Sequence, residues 1–361
     1  MTYKETLFFV GKCLTITHEK HNKEIIESEL KSGNIDWDNV VKLSTSHYVF
    51  PALYCNLKRA SFLHYLPNDL VEYMKHITDL NRERNQQIIE QAKEINDLLL
   101  ANNITPIFLK GTGNLLEGLY EDIAERMVGD IDFLIKKEHC EPAFKLLEKN
   151  GYNHKISELF EDHRHLPRIT NSNKIAAIEI HKEILKKEKS HFFNYPKLNK
   201  SFLNIDNYTL LSSIDQIKLS VFSKLINDNG YILKNISLKN AYDVFLLGNT
   251  LQSKTNIEDI NLSKELSAGL KLYTTLLSLP INIVFSSTPK SQIYLDKCLL
   301  QLEPNLKNKI KKSFLKFYLK FRFRISILYK SFFNKSFFLF TLSKVTDTNW
   351  WKEKISSKPT L

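Results

Sequence analysis

Apolar residues recur every three or four positions along the first hundred residues and again beyond residue 210. The stretch 70–100 is the longest of these segments, and it contains neither proline nor glycine. Such spacing predicts amphipathic helices, and the pair Asn102–Asn103 predicts the end of the long one. The segments 214–226 and 238–247 show the same period. We therefore predict a helical N-terminal region, 1–100, and a helical C-terminal region, 186–304.

Between these regions the pattern changes to short apolar runs with β-branched residues and turn signals. The predicted order is strand 104–109, turn 110–113, a helix starting within 114–120, strand 130–135, helix 142–149, strand 152–156 and a hairpin of 163–170 and 175–181. This core, residues 101–185, is the part of the chain with clear strand signals. The predicted fold class is α+β, a small mixed sheet with helices, flanked by helical regions.

Charge and cysteine content add further constraints. The chain of 361 residues has a net charge of +11, but residues 305–361 contain 14 Lys and Arg against 2 Asp and Glu, so the rest is nearly neutral. The four cysteines show neither disulfide-type nor zinc-type spacing. No apolar run reaches 18 residues, and no signal-peptide pattern opens the chain. We expect a cytoplasmic protein without a transmembrane span.

The strand 130–135 carries two acids on one face. Because strand side chains alternate, Asp130 and Asp132 point to the same side of the sheet. A third acid, Glu179, interrupts the otherwise apolar strand 176–181. Oxygen ligands of this kind suit Mg²⁺ or Mn²⁺ and support phosphoryl or nucleotidyl transfer. We predict that these three carboxylates bind metal and are catalytic; solvated strand residues are the alternative.

The segment Lys110-Gly-Thr-Gly113 follows a strand and precedes a helix. Backbone N–H groups at Gly111 and Thr112 can bind phosphate there, the Thr112 hydroxyl can add a contact and Lys110 adds positive charge. Arg126 is a further candidate for a triphosphate contact. The segment matches neither a P-loop nor a dinucleotide fingerprint. The alternative interpretation of the segment is a plain strand–helix connection, and that of Arg126 is a surface ion pair with a neighbouring acid.

Three histidines, His163, His165 and His181, fall near the predicted hairpin. A zinc site would need a third ligand at a standard spacing, which this segment lacks. We predict that His181 contacts the nucleotide phosphate or orients Glu179, and that His165 is structural.

Several of these residues form a set of motifs in a fixed order. The set comprises Leu-Lys-Gly-Thr-Gly-Asn-Leu-Leu at 109–116, Tyr120, Arg126, Gly-Asp-Ile-Asp-Phe-Leu-Ile at 129–135, Gly151–Tyr152, His163-x-His165 and Ile178-Glu-Ile-His181. The set resembles an uncharacterised bacterial nucleotidyltransferase family within the DNA polymerase beta-like nucleotidyltransferase superfamily. A weaker match follows at Tyr242–Asp243 and Leu246–Leu247.

The resemblance implies a polymerase-beta-like core that moves a nucleoside monophosphate from a nucleoside triphosphate, such as ATP, to a hydroxyl, with Mg²⁺ and release of pyrophosphate. By motif, Asp130 and Asp132 would bind metal. Glu179, where Asp is common, would complete the metal site or accept the acceptor's proton. Gly111–Thr112 would take the place of the usual Gly-Ser or Gly-Gly phosphate turn. The acceptor is open between a small molecule, a glycan precursor, an RNA end and a protein.

Two other functions are compatible with the same residues. One is a protein that keeps the fold and binds a nucleotide or a partner without turnover. The other is a toxin-like enzyme that modifies tRNA. Metal-dependent labelling by nucleoside triphosphates separates the first from an active enzyme, and growth arrest on expression identifies the second.

The tail 305–361 interleaves Lys and Arg with nine phenylalanines between 314 and 340. Packing on the body, with the phenylalanines buried and the lysines solvated, needs no partner. Two other interpretations stay open. The tail can contact an anionic inner-membrane surface, or it can bind a polynucleotide by charge and stacking.

Overall fold

The computed structural model of the protein describes residues 1–154, 163–303 and 305–348. Its α-helices are α1 (Tyr3–Cys13), α2 (Lys20–Ser32), α3 (Trp37–Ser46), α4 (Phe50–Arg59), α5 (Asn68–Leu100), α6 (Lys110–Leu116), α7 (Cys140–Lys149), α8 (Tyr195–Leu198), α9 (Ser213–Phe222), α10 (Gly230–Leu233), α11 (Leu238–Thr250), α12 (Ser263–Leu276), α13 (Pro289–Leu300), α14 (Leu306–Ser331) and α15 (Lys335–Thr346). Its strands are β1 (Ile107–Phe108), β2 (Asp130–Leu134), β3 (Asn153–His154), β4 (Ile169–Thr170), β5 (Ala177–His181), β6 (Leu203–Ile205), β7 (Tyr208–Leu210), β8 (Thr255–Asn256) and β9 (Ile283–Val284).

Strands β1 to β7 form one mixed sheet in the order β3-β4-β5-β2-β1-β7-β6. The central strands β2 and β5 are parallel, and β1 runs antiparallel to β2. Ile131 and Phe133 of β2 are fully buried, so they hold the strand against the core. The alternation of a strand then turns Asp130 and Asp132 to the opposite face. The predicted α+β class, with helices flanking a small mixed sheet, is confirmed.

The predicted hairpin is also confirmed. Strand β4 runs antiparallel to β5 with Ile169 opposite Ile178, and His165 forms a further bridge to His181. The predicted strand 152–156 is seen as β3, and its residues beyond 154 lie outside the described part of the chain. The predicted strand 104–109 is shorter than expected, because only Ile107–Phe108 pairs with neighbours.

The prediction of a turn at 110–113 is wrong, because α6 begins at Lys110. Lys110 has a φ of 54°, in the left-handed region, which turns the chain from β1 directly into the helix. A Cβ atom at Gly113 would lie 2.8 Å from the carbonyl oxygen of Phe108. The glycine therefore lets α6 pack closely on β1.

Gly113→Ala is expected to lower the free energy of unfolding by about 1–3 kcal/mol, because the added methyl group meets backbone. The matched control is Gly129→Ala, where an added Cβ has nothing within 4 Å, and its change is expected to stay within about 0.5 kcal/mol. Urea unfolding followed by circular dichroism measures both values. Equal midpoints for the two variants would contradict the packing argument.

The prediction that the chain beyond the core, 101–185, is helical is wrong in part. Strands β6 and β7 form a hairpin beyond that range, and β7 joins the sheet parallel to β1 with Thr209 opposite Ile107. Strands β8 and β9 form a separate two-stranded sheet. Each of these strands has two or three residues, which is too short for an alternating pattern to be recognised.

The predicted long helix is α5, and it positions the segment that leads into β2. Ile88, Ala92 and Ile95 of α5 are buried against the core. The side-chain amides of Asn81 and Asn85 donate hydrogen bonds to the backbone carbonyls of Ala124 and Arg126, both at 2.7 Å. Since buried backbone carbonyls need partners, these amides hold the irregular chain before Asp130 in place.

The tail forms a hairpin of two helices, α14 and α15. No side chain of α14 is buried within the described residues. The interpretation of a tail packed on the body with buried phenylalanines is therefore wrong for α14. Among the described helices, none is both long and apolar enough to cross a membrane.

Candidate active site

Two neighbouring strands bring the predicted acids together. In the parallel pairing of β2 with β5, Asp132 lies directly opposite Glu179, and Asp130 precedes it on the same face. The strand of Glu179 therefore lies beside that of the two aspartates, as a metal site shared by these acids requires. The catalytic and metal-binding roles of the three residues stay predictions.

Two cationic or donor groups converge on Asp132. Its Oδ1 atom lies 2.6 Å from Lys110 Nζ and 2.8 Å from His181 Nε2. Burial acts to raise the pKa of Asp132, but the Lys110 ammonium and His181 outweigh it and hold that pKa well below its usual range. Asp132 is therefore ionised in this environment, as a metal ligand must be.

Glu179 faces two histidines. Its Oε2 atom lies 3.6 Å from His181 Nε2 and 4.0 Å from His165 Nε2. Burial acts to raise the pKa of Glu179, but the interaction with His181 outweighs it and the pKa is lowered. Burial lowers the pKa of His165, whose Nδ1 donates to the carbonyl of Leu166 at 2.8 Å. This hydrogen bond fixes the ring of His165 beside the carboxylate.

Asp130 has a partner that the sequence did not indicate. Its Oδ1 accepts a hydrogen bond from Nη2 of Arg168, the residue directly before β4. Burial raises the pKa of Asp130, as do the nearby Glu179 and Asp132, whereas Arg168 opposes the shift. Arg168 was missed as a site residue, because 38 positions separate it from Asp130 and no local pattern links the two.

Three ligand atoms in this site lie close enough to share a metal ion. One atom each from Asp132, Glu179 and His181 lie within 4.8 Å of one another. Asp132 and Glu179 are two of the predicted metal ligands. The third member of the group is His181 and not the predicted Asp130, whose carboxylate binds Arg168. Carboxylate oxygens suit Mg²⁺ and Mn²⁺, and an imidazole nitrogen shifts the preference toward Mn²⁺. The donor set therefore fits a divalent cation.

The predicted phosphate segment, residues 110–113, lies at the N-terminal end of β2, beside Asp130. The Thr112 hydroxyl donates to the backbone carbonyl of Asp130 at 3.0 Å and is almost fully buried. A Cβ atom at Gly111 would lie 2.9 Å from Val128 Cγ2, so this glycine allows close packing. Lys110 is a quarter exposed. Of the three, Lys110 has the side chain best placed to reach a ligand, and nucleotide binding by Gly111 and Thr112 stays a prediction.

Arg126 forms a buried ion pair. Its Nε lies 2.9 Å from Asp243 Oδ1, and its Nη2 lies 3.0 Å from Asp243 Oδ2. The Tyr120 hydroxyl donates to the same carboxylate at 2.7 Å. The partner is thus Asp243 of α11, rather than one of the neighbouring acids Glu121, Asp122 and Glu125. The guanidinium carbon lies 3.4 Å from the position that a Cβ atom would take at Gly111, so Arg126 packs against the predicted phosphate segment.

The sheet thus carries carboxylates on two adjacent parallel strands, with a lysine turned toward one of them, and this group of side chains suits metal-dependent phosphoryl or nucleotidyl transfer. Residues 33–277 match a family described as uncharacterised nucleotidyltransferase. Because the match covers more than half of the chain, the protein belongs to this family, and the resemblance of its motifs is confirmed. It is a transferase of phosphorus-containing groups. A comparison with curated proteins gives no significant match.

Proposed function

We propose that the protein transfers a nucleoside monophosphate from a nucleoside triphosphate to a hydroxyl acceptor, with Mg²⁺ or Mn²⁺ held between Asp132 and Glu179. The observation that supports this most strongly is the register of β2 and β5, which places these two acids directly opposite each other. One ligand atom each from Asp132, Glu179 and His181 lie within 4.8 Å of one another, so a single divalent cation can bind this group. The family membership supports the reaction class.

A bound divalent cation would neutralise the triphosphate and the leaving pyrophosphate. Asp132 and Glu179 are its proposed ligands, and Asp130 can join them once Arg168 has moved from its carboxylate to a phosphate group. His181 lies 2.8 Å from Asp132 Oδ1, so it either orients this carboxylate or adds a nitrogen ligand. Replacement of His181 by asparagine separates the two roles, since loss of a nitrogen ligand lowers the preference for Mn²⁺ over Mg²⁺.

Two partly exposed cations are proposed to bind the triphosphate. Lys110 contacts Asp132 and is a quarter exposed, and Arg168 contacts Asp130 and is half exposed. Each can exchange its carboxylate for a phosphate oxygen by a change of rotamer. Arg126 is buried against Asp243, so its proposed contribution is to support Gly111 below the phosphates.

Lys110→Met is expected to weaken nucleoside triphosphate binding by about 10- to 100-fold, because a charge-assisted hydrogen bond is worth about 1.5–3 kcal/mol. Isothermal titration with a non-hydrolysable triphosphate and Mg²⁺ measures the affinity. The matched control is Lys145→Met, which removes an exposed lysine paired with Glu141 on α7. Equal affinity of wild type and Lys110→Met would exclude this residue from the nucleotide site.

The reaction itself is tested with each nucleoside triphosphate labelled at the α-phosphate. Fractions of small molecules, glycans, RNA and protein are supplied as acceptors, with Mg²⁺ or Mn²⁺. Transfer of label to one fraction with equimolar pyrophosphate supports the proposal and names the acceptor class. Tight triphosphate binding without turnover in all fractions would support the silent binding protein. In parallel reactions with triphosphates labelled at the γ-phosphate, transfer of label to an acceptor would contradict nucleotidyl transfer.

A further inference from the structure

The C-terminal helical hairpin, defined here as α14 and α15, stands apart from the active site. Helix α14 contains nine Lys and Arg and no Asp or Glu. Its described side chains are all at least partly exposed, and it contacts the body through α10. A helix of this length with so little burial is not stabilised by the core, so its apolar residues need another explanation.

One face of α14 forms an apolar stripe. It consists of residues three or four positions apart, which lie on one side of a helix: Ile310, Phe314, Phe317, Phe321, Ile325 and Leu328, with Phe332 directly after the helix. Their exposed fractions range from 48% for Ile325 to 82% for Phe332. At about 1.5 Å per residue, the stripe extends for about 30 Å. Exposed apolar patches of this extent mark interaction sites.

Basic residues border the apolar stripe on both sides. Lys316, Lys320 and Arg324 form a row one helical turn apart along one border, and all three are exposed. Lys307, Lys311 and Arg322 lie along the other border and are also exposed. An apolar face between two basic rows is the pattern of a helix that lies in the headgroup region of a lipid bilayer.

The second helix of the hairpin adds to the same kind of surface. Phe338, Leu342 and Val345 of α15 are spaced as one helical face and are about half exposed or more. Phe337 of α15 is buried, with Lys330 of α14 above its ring at 5.3 Å. The two helices therefore pack against each other, and both have apolar side chains exposed to solvent.

Positive charge continues at the base of the hairpin. A cavity of about 480 Å³ there is lined by Lys224, Lys234, Lys309 and Lys312, and also by Glu303. These lysines extend the basic surface from α14 onto the body.

We propose that the C-terminal helical hairpin binds the surface of an anionic phospholipid bilayer. Phe, Ile and Leu of the apolar stripe enter the acyl boundary, and the bordering Lys and Arg contact anionic headgroups. A second copy fits less well, because pairing two stripes would bring two basic helices together without a balancing acid in α14. A polynucleotide also fits less well, because the stripe includes Ile and Leu, which do not stack on bases.

Flotation of the full chain with vesicles tests this inference. Binding is expected with vesicles of phosphatidylcholine plus phosphatidylglycerol, and not with phosphatidylcholine alone. It is expected to weaken several-fold between about 0.1 M and about 0.5 M NaCl, because salt screens the lysines and arginines. Equal binding to both kinds of vesicle would overturn the role of charge.

Two triple variants separate the apolar and the charged contributions. Phe314→Ser/Phe317→Ser/Phe321→Ser and Lys316→Gln/Lys320→Gln/Arg324→Gln are each expected to reduce vesicle binding at least about tenfold. The matched control, Ile260→Ser/Ile281→Ser/Ile293→Ser, removes three exposed apolar residues outside the hairpin and is expected to bind like wild type. Circular dichroism verifies that every variant is folded.

Three results would overturn the proposal. The first is unchanged vesicle binding by the apolar triple variant. The second is a dimer in light scattering that the apolar triple variant dissociates, without vesicle binding by wild type. The third is binding of a fluorescent single-stranded RNA that both triple variants abolish, again without vesicle binding.

Discussion

Asp132→Asn is expected to reduce nucleotidyl transfer by at least about 10³-fold, because it removes the negative charge of the carboxylate that is proposed to bind the metal. Lys110 Nζ and His181 Nε2 both contact Oδ1 of Asp132, at 2.6 and 2.8 Å. Asparagine keeps the shape of the side chain and removes its negative charge. Initial rates of pyrophosphate release at saturating triphosphate and Mg²⁺ measure the effect.

Glu179→Gln is expected to cause a loss of the same size, since Glu179 lies opposite Asp132 in the pairing of the strands. If both acids hold one cation, the double variant is no slower than either single variant, because groups that act as a unit are not additive. Losses that multiply in the double variant would contradict a shared ion. The matched control is Glu141→Gln, an exposed acid on α7, which is expected to retain wild-type rates.

Asp243→Ala is expected to lower the free energy of unfolding by about 3–5 kcal/mol, because it leaves the buried Arg126 guanidinium without its carboxylate. Asp243 is 2% exposed and also accepts from the Tyr120 hydroxyl. Urea unfolding gives the change, with Glu141→Ala as the control for an exposed ion pair, where the change is expected to stay below about 1 kcal/mol.

A second variant separates the effect of losing the ion pair from the cost of leaving a buried charge unpaired. Arg126→Met/Asp243→Leu replaces both ions by apolar side chains and is expected to recover at least about half of the lost stability. Triphosphate binding is expected to be weaker in this double variant than in wild type, because Arg126 no longer packs against Gly111. Equal instability of the single and double variants would show that the ions matter for more than their mutual neutralisation.

Much of the site could be predicted from local patterns. The alternation within 130–135 places both aspartates on one face, and a lone acid on an apolar strand identifies Glu179. These inferences hold because the side-chain direction in a strand depends on adjacent residues alone. The same reasoning could not find β6 and β7, since three residues are too few for a period.

The partners within the site could not be predicted in this way. Arg126 pairs with Asp243, 117 positions away, and Arg168 pairs with Asp130, 38 positions away. Several acids closer in sequence were equally good electrostatic partners for Arg126. The choice depends on how α11 packs against the chain before β2, which no local pattern records.

The sequence by itself determined the α+β class, the family motifs, the acids of the site and the basic character of the tail, because periodicity, motif order and charge are local properties. The tertiary structure decided which residues meet. It placed Glu179 opposite Asp132, turned Lys110 and His181 onto the same carboxylate, buried Arg126 and left the phenylalanines of α14 exposed. Contacts of this kind depend on strand register and helix packing between distant segments, so they are settled only when the whole chain is folded.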